Sequence, residues 1–260
     1  MHAVASGDET DELFERWRAM RARRGDHVDL HDLYDLVAEA HGVVPDDLDL
    51  EERRELAARA LEVIWPGFEQ VAPVRSGGRV EVVDYDASWP ARFAALRDRL
   101  AATLGAVAQR IDHIGSTSVP GLDAKPIIDV QVSVADLADE AAYAPGCSAV
   151  GFELYSRDDV HRFFSVPSPA PRDAQVHVCG TGGAFEHDHL LFRDYLRAHD
   201  DERDAYAAMK RDAAARWTDD RMGYTFAKSD HILDLLARAR DWAEATAWPV
   251  GHGDEGGAEP

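Results

Sequence analysis

The stretch HIGSTSVPGLDAKPIIDVQVSV, residues 113–134, decides the fold. It places Gly, Ser, Thr and Pro between two short apolar runs that are typical of β-strands, and the second run carries one acid, Asp129. A carboxylate in a strand is costly to bury unless it is paired. The pattern therefore indicates either a ligand site at the turn or an inert turn beside an acid that pairs with Lys125 or with backbone groups.

The sequence on either side predicts an α+β domain. A helix is expected over residues 88–104, because Trp89, Phe93, Leu96, Leu100 and Leu104 form one apolar stripe, and Ser88 is its candidate cap. Strands are expected at 79–86, near 109–114 and at 126–134, and in GFELYS, RFFSV and AQVHVCG. Two or three helices then close the domain, so the predicted architecture is a mixed sheet flanked by helices.

Composition shifts divide the chain into four predicted parts. Residues 1–71 carry helical periodicity and no site signal, which predicts a small all-helical accessory domain that is a candidate surface for a protein partner. Residues 72–79 are rich in Pro, Gly and Ser and read as a linker. The α+β domain is expected over 80–247, and the Gly- and acid-rich residues 248–260 are expected to be disordered.

Charge and hydropathy restrict the partners. A net charge of −21 argues against nonspecific binding of duplex nucleic acid, which needs a basic face. It does not exclude a small phosphorylated ligand in a locally basic pocket. No apolar run approaches the roughly 20 residues that span a bilayer, so we expect no membrane segment and a cytoplasmic protein. The two cysteines, Cys147 and Cys179, are expected to be reduced and buried.

Several motifs within residues 80–235 resemble the GrpB family. The central one, HIGSTSVPGLDAKPIIDV at 113–130, is long enough to be specific. The others are DYDASWPARF (84–93), RFF (162–164), QVHV (175–178) and LLFRDYLRAH (190–199), followed by Tyr206, Lys210, Tyr224 and Lys228. GrpB proteins share the fold of the nucleotidyltransferase superfamily related to DNA polymerase β, and some are fused behind a dephospho-CoA kinase. The resemblance implies a nucleotidyltransferase-like mixed sheet and a nucleotide site.

The resemblance also implies roles for individual residues. In that superfamily a Gly-Ser pair at a turn contacts the phosphates of a nucleotide, and alternate acids on the next strand hold magnesium. Here it makes Asp129 and Lys125 the catalytic candidates, with Lys125 neutralising charge. The nucleotide-binding candidates are Gly115, Ser116, Thr117, Ser118, Arg162, Arg193 and Lys228. The alternative for the hydroxyl groups is that they stabilise the turn itself.

Two positions depart from the superfamily pattern. Gln131 stands where the second acid is expected, and His177 stands where a third carboxylate is expected. Magnesium prefers carboxylate and water oxygens, whereas one acid with one imidazole suits a transition metal better. Mg²⁺ on Asp129, with His177 beside it, is therefore the predicted cofactor, and a transition metal on the same pair is the alternative.

The lysines are few and their positions are informative. Only three of the 28 basic residues are lysines, Lys125, Lys210 and Lys228, and all three lie on positions of the resemblance. Where arginine is the default, a lysine can mark a place that needs a compact ammonium group, such as a phosphate contact. The alternative is that they form structural salt bridges.

Three functions follow from these features. The leading one is a metal-assisted transfer of a nucleotidyl or phosphoryl group to an unidentified acceptor. The second is a non-catalytic module that binds a nucleotide or a CoA metabolite and assists a partner enzyme, which the missing second acid favours. The third is a structural adaptor that uses the helical N-terminal part.

Overall fold

The computed structural model describes residues 12–13, 15–16, 30–44, 47–48, 52, 55–56, 59–60, 69–72 and 79–250. Its helices are α1 (Leu30–Ala40), α2 (Trp89–Leu104), α3 (Glu140–Val150), α4 (Ala184–Ala198), α5 (Asp200–Arg216), α6 (Arg221–Phe226) and α7 (Ser229–Thr246). Its strands are β1 (Glu69–Gln70), β2 (Ala108–Ile114), β3 (Ile128–Val134), β4 (Glu153–Arg157), β5 (His161–Ser165) and β6 (Ala174–Gly180).

The strands form one mixed sheet, which confirms the predicted α+β class. Within the described residues the order is β1-β4-β5-β6-β3-β2, with β3 and β6 parallel and all other neighbours antiparallel. The quoted stretch supplies the C-terminal end of β2, the turn and all of β3. This hairpin-like unit sets the register at one edge of the sheet, pairing Ile114 with Asp129 and Asp112 with Gln131.

Alternation along β3 gives the sheet two different faces. Ile128, Val130, Val132 and Val134 point to the face that α2 and α3 cover, and they belong to the main hydrophobic core with Trp89, Phe93 and Leu100. That apolar layer accounts for the stripe predicted over residues 88–104. Asp129, Gln131 and Ser133 point to the opposite face, so the polar side chains of β3 meet a separate set of elements.

The helices α4, α5 and α7 lie on this second, polar face. They have their own hydrophobic cluster, which includes Leu191, Leu196, Tyr206 and Leu235. Val119 and Leu122, which follow the turn, pack into the same cluster. The C-terminal helices are thereby held against the turn, and this contact creates the candidate site.

Five local expectations differ from the observed structure. Residues 1–71, which were predicted to be all-helical, supply strand β1 (Glu69–Gln70), and this strand pairs with β4. Residues 79–86 form one isolated bridge, Val83 to Ala124, and no strand. Ser88 precedes α2 without a side-chain capping bond, and Asp86 Oδ1 instead accepts from the Ser88 amide at 2.8 Å. Helix α3 was not expected, and four helices follow β6.

Much of the predicted N-terminal domain, most of the predicted linker and nearly all of the predicted tail lie outside the described residues. Among those described, α1 agrees with the helical pattern, and Leu13, Val37, Leu56 and Ala60 form a small core. The domain boundaries stay a prediction. In the described part of the chain no helix has both the length and the hydropathy to cross a membrane.

Candidate functional site

The turn between β2 and β3 borders the site. Gly115 has a φ of +68°, a left-handed conformation that favours glycine. A Cβ at this position would lie 3.0 Å from Asp129 Cγ and closer still to Oδ2. Glycine is therefore required twice, once by the backbone conformation and once by the carboxylate beside it.

We expect Gly115→Ala to lower the free energy of unfolding by about 1–3 kcal/mol, because strained backbone costs that order of energy and the added methyl group displaces Asp129. Chemical denaturation measures this effect. Gly121→Ala is the matched control, since Gly121 also has a positive φ of 78° but faces the flexible Arg203 side chain. Equal losses in the two variants would contradict a specific role for the Asp129 contact.

The hydroxyl groups of the turn are engaged within the protein. Ser118 Oγ donates to the Gly115 carbonyl at 2.6 Å, and Thr117 Oγ1 donates to the Ile127 carbonyl at 3.2 Å. His113 stacks on Phe93 with 4.6 Å between ring centroids and contacts Thr117 Oγ1 at 3.0 Å. These contacts hold the turn in place, and Ser118 does not line the cavity described below.

Asp129 is held as a carboxylate by its polar neighbours. Gln175 Nε2 donates to Oδ1, and His177 Nε2 lies 3.5 Å from the same oxygen. Burial alone would raise the pKa of Asp129, but the contacts with His177 and Gln175 and the charge of Lys125 hold that pKa below its ordinary value. The acid that stood out in the sequence is thus ionised and paired.

A row of side chains on the polar face leads away from Asp129. His177 Nδ1 lies 3.0 Å from His161 Nε2, and His161 Nδ1 lies 3.4 Å from Asp158 Oδ2. Burial lowers the pKa of His161 to about 4, so its ring is neutral at pH 7. These contacts fix the orientation of the His177 ring behind Asp129.

All three lysines of the chain lie around one cavity. The Lys125 and Lys228 ammonium groups lie 4.9 and 4.6 Å from the centroid of the Tyr224 ring. The Lys210 ammonium group lies 4.5 Å from the centroid of the Tyr206 ring and donates to the Asp123 carbonyl. Cation–π contacts of this kind keep a buried ammonium group in place without neutralising its charge.

Burial lowers the pKa of each lysine, and repulsion by Lys228 lowers the pKa of Lys125 and Lys210 further. The pKa of Lys125 falls to about 7 and that of Lys210 to about 6, in both cases first because of burial and next because of the charge of Lys228. Burial lowers the pKa of Lys228 to about 8, against the attraction of Asp129. The lysine cluster is therefore only partly protonated in the free protein at neutral pH, and negative charge placed beside it would favour the ammonium forms.

The cavity between the turn and the C-terminal helices has a volume of about 290 Å³. Its polar side is formed by the turn and by groups from β3, β6, α5 and the start of α7: Gly115, Ser116, Thr117, Lys125, Asp129, Gln175, Lys210 and Lys228. Its remaining wall is formed by Ala124, Ile127, Asp188, His189, Phe192, Tyr206, Tyr224, Ile232 and Leu236. The structure thus brings together six of the predicted site residues, namely Gly115, Ser116, Thr117, Lys125, Asp129 and Lys228.

Two predicted arginines lie elsewhere. Arg162 shares a face of β5 with Phe164 and pairs with Glu140 of α3, on the side of the sheet opposite the cavity. Arg193 of α4 is fully buried, its Nε donates to Asp194 at 2.7 Å, and its Nη1 donates to the His113 carbonyl at 3.2 Å. Neither guanidinium group lines the cavity, because strand alternation and helix packing direct both away from it.

The comparisons with known proteins agree with this architecture. The family model described as GrpB protein matches residues 79–238, which is more than half of the chain. The chain belongs to the GrpB family. The matched region includes the turn, all three lysines and all but the last helical turns of α7, so the cavity is formed by residues of the GrpB domain.

Individual relatives support the assignment. A UPF0157 protein of Streptomyces coelicolor is 45% identical over 156 residues, covering 60% of this chain and 82% of that protein. The crystal structure of a conserved GrpB protein from Enterococcus faecalis aligns with a TM-score of 0.56 and 27% identity, covering 62% of this chain and 99% of the other. A dephospho-CoA kinase of Mycolicibacterium paratuberculosis is 32% identical over 195 residues, and the match covers 65% of this chain and 48% of that kinase.

The donor set of the GrpB cavity does not fit magnesium. In the described residues, no group of three or more His, Cys, Asp or Glu side chains is arranged to hold a metal ion. Asp129 is the cavity carboxylate beside Gly115, its Oδ1 is already shared by Gln175 and His177, and the charges of Lys125 and Lys228 act on it. Magnesium requires several oxygen ligands, whereas ammonium groups repel a divalent cation. The predicted Mg²⁺ stays a prediction.

Sequence reasoning missed part of the site. Tyr206, Tyr224 and Lys210 belong to the family pattern but are not among the predicted binding residues, and no prediction concerned His189. In the GrpB domain, Tyr206 and Tyr224 support the lysines, and His189 lines the cavity. Tyr206 and Tyr224 each stand four residues before a lysine, and this repeated spacing is the sequence signal that could have identified the tyrosines.

Proposed function

We propose that the GrpB domain binds a small phosphorylated metabolite, with the phosphate group against the lysine cluster formed by Lys125, Lys210 and Lys228. The observation that carries this proposal is the convergence of all three lysines of an acidic chain on one cavity of about 290 Å³. Ammonium groups are strong donors to phosphate oxygens. An anion between them would offset the repulsion among the protonated lysines and favour their ammonium forms.

The net charge of the cavity supports an anionic ligand. Three ammonium groups face one nearby carboxylate, Asp129, so the fully protonated cluster has an excess of positive charge. The nearest acid on the cavity rim, Asp188, is paired with Arg240 at 2.7 Å. A ligand phosphate would supply the missing negative charge and would be oriented by the turn that Gly115 begins.

The similarity to a dephospho-CoA kinase suggests which probes to use. A thermal-shift screen with EDTA present should include pyrophosphate, ATP and dephospho-CoA. A ligand present at 100 times its dissociation constant should add about 2.7 kcal/mol to the free energy of unfolding. If none of these anions stabilises the protein, the proposal fails.

Metal-assisted nucleotidyl or phosphoryl transfer is the second candidate function. The observation that favours it is the position of an ionised carboxylate, Asp129, beside the turn and the lysines, as the resemblance to nucleotidyltransferases implies. Incubation with labelled nucleoside triphosphates and magnesium separates the two functions. Release of pyrophosphate that depends on Asp129 would establish transfer, whereas binding that EDTA leaves unchanged supports a binding module.

A further inference from the structure

One part of the cavity wall is apolar. Phe192 of α4 and Ile232 and Leu236 of α7 form this wall, together with Ile127 beside β3. Phe192 and Ile232 pack by one side against the C-terminal hydrophobic cluster, and Phe192 meets the Tyr206 ring edge-on at 5.6 Å between centroids. Both side chains also line the cavity.

The faces of the aromatic rings near the lysines are already in contact with other side chains. Tyr224 faces Lys125 and Lys228, and Tyr206 faces Lys210 and stacks on His231 at 5.6 Å. A ligand in the cavity therefore has both the ammonium groups and the apolar side chains of Phe192, Ile232 and Leu236 available to it. The two kinds of lining favour a molecule that combines a charged group with an apolar group.

Resting on the proposed function, we infer that the cavity binds a phosphate monoester of a small apolar organic group. The phosphate lies against the lysine cluster, and the organic group lies between α4 and α7. A monoester carries close to two negative charges at neutral pH and balances three ammonium groups and one carboxylate. A diester carries one charge and leaves the cluster partly unbalanced.

The volume of the cavity limits the organic group. Small-molecule pockets run from roughly 300 to 1,000 Å³, so a cavity of about 290 Å³ lies at the lower end of that range. A sugar in the same place would lose hydrogen bonds to water against Phe192, Ile232 and Leu236. A compact apolar group gains from leaving water.

Calorimetry on the full chain with EDTA tests the inference with four probes: inorganic phosphate, glycerol 3-phosphate, phenyl phosphate and the diester methyl phenyl phosphate. We expect phenyl phosphate to bind at least about tenfold more tightly than each of the others, because burial of its ring adds to a full dianionic contact. Equal affinity for phenyl phosphate and inorganic phosphate would overturn the inference and leave the proposed function standing. Failure of all four to bind would overturn both.

A matched pair of variants locates the apolar contact. Ile232→Thr puts a hydroxyl group into the apolar wall, whereas Leu233→Thr changes the neighbouring exposed residue of α7. We expect the first variant to lose about fivefold or more of its affinity for phenyl phosphate and to keep its affinity for inorganic phosphate. Leu236→Ser provides a second test of the same wall. The proposed orientation would be contradicted if Leu233→Thr lost the preference for phenyl phosphate over inorganic phosphate. It would also be contradicted if both wall variants kept that preference in full.

Discussion

Lys125→Met/Lys228→Met should strongly weaken the binding of pyrophosphate while the protein remains folded. Each ammonium group is expected to supply a charge-assisted hydrogen bond worth about 1.5–3 kcal/mol, so the double change should weaken pyrophosphate binding at least about a hundredfold. Both side chains contact the Tyr224 ring, which methionine can still pack against. Calorimetry measures the affinity, and thermal unfolding measures the stability.

The same variant should be at least as stable as the parent protein without ligand. Because burial lowers the pKa of both lysines, the unfolded chain binds more protons than the folded protein at pH values between their folded and unfolded pKa values. The contribution of these groups to stability therefore rises with pH from about 7 to about 10 in the parent protein, and this rise should shrink in the variant.

The control for the double change is Arg97→Met/Arg216→Met, which removes two positive charges from surface positions away from the cavity. It preserves the lysine cluster while making the same change in net charge. If the control loses as much affinity as the lysine variant, binding depends on the overall charge of the protein and the lysine cluster has no specific role.

Arg193→Met should have the opposite result, a loss of stability with binding retained. Arg193 is fully buried, donates to Asp194 and to the His113 carbonyl, and lies 3.8 Å from Asp112. Removing one member of a buried ionic network typically costs about 3–5 kcal/mol, because the partners stay buried without compensation. Denaturant titration measures the loss.

Arg193→Lys should recover little of this stability, since a single ammonium group cannot reproduce both the contact of Nε with Asp194 and the contact of Nη1 with the His113 carbonyl. The folded fraction of each variant should bind pyrophosphate as the parent does. An Arg193 variant with unchanged stability and lost binding would restore the sequence-based interpretation that this residue contacts the ligand.

Strand β3 and the turn before it were predictable because the quoted stretch combines local signals that agree. Gly115 marks the turn, the alternation of Ile128, Val130 and Val132 marks the buried face, and Asp129 marks the opposite face. Helix α3 was not predictable in this way, because Pro145 and Gly146 lie within it and both residues disfavour helix interiors. Tertiary packing of Tyr143 and Cys147 on the core stabilises it instead.

The site was predictable only in part, for a related reason. Gly115, Lys125 and Asp129 are close in sequence, so one motif contains them. Lys210 and Lys228 reach the same cavity through the packing of α5, α6 and α7, which no local pattern encodes. Arg162 has the right charge, yet its position on β5 places it on the other face of the sheet.

Proton uptake during phosphate binding tests the central claim most directly. Inorganic phosphate should be titrated into the full chain at pH 7.5 with EDTA, in two buffers that differ in ionisation enthalpy. Because the pKa values of Lys125, Lys210 and Lys228 are about 7, 6 and 8 in the free protein, an anion that raises them should cause uptake of about one proton or more. Binding that requires a metal, or that occurs without proton uptake, would contradict the lysine cluster as the phosphate site.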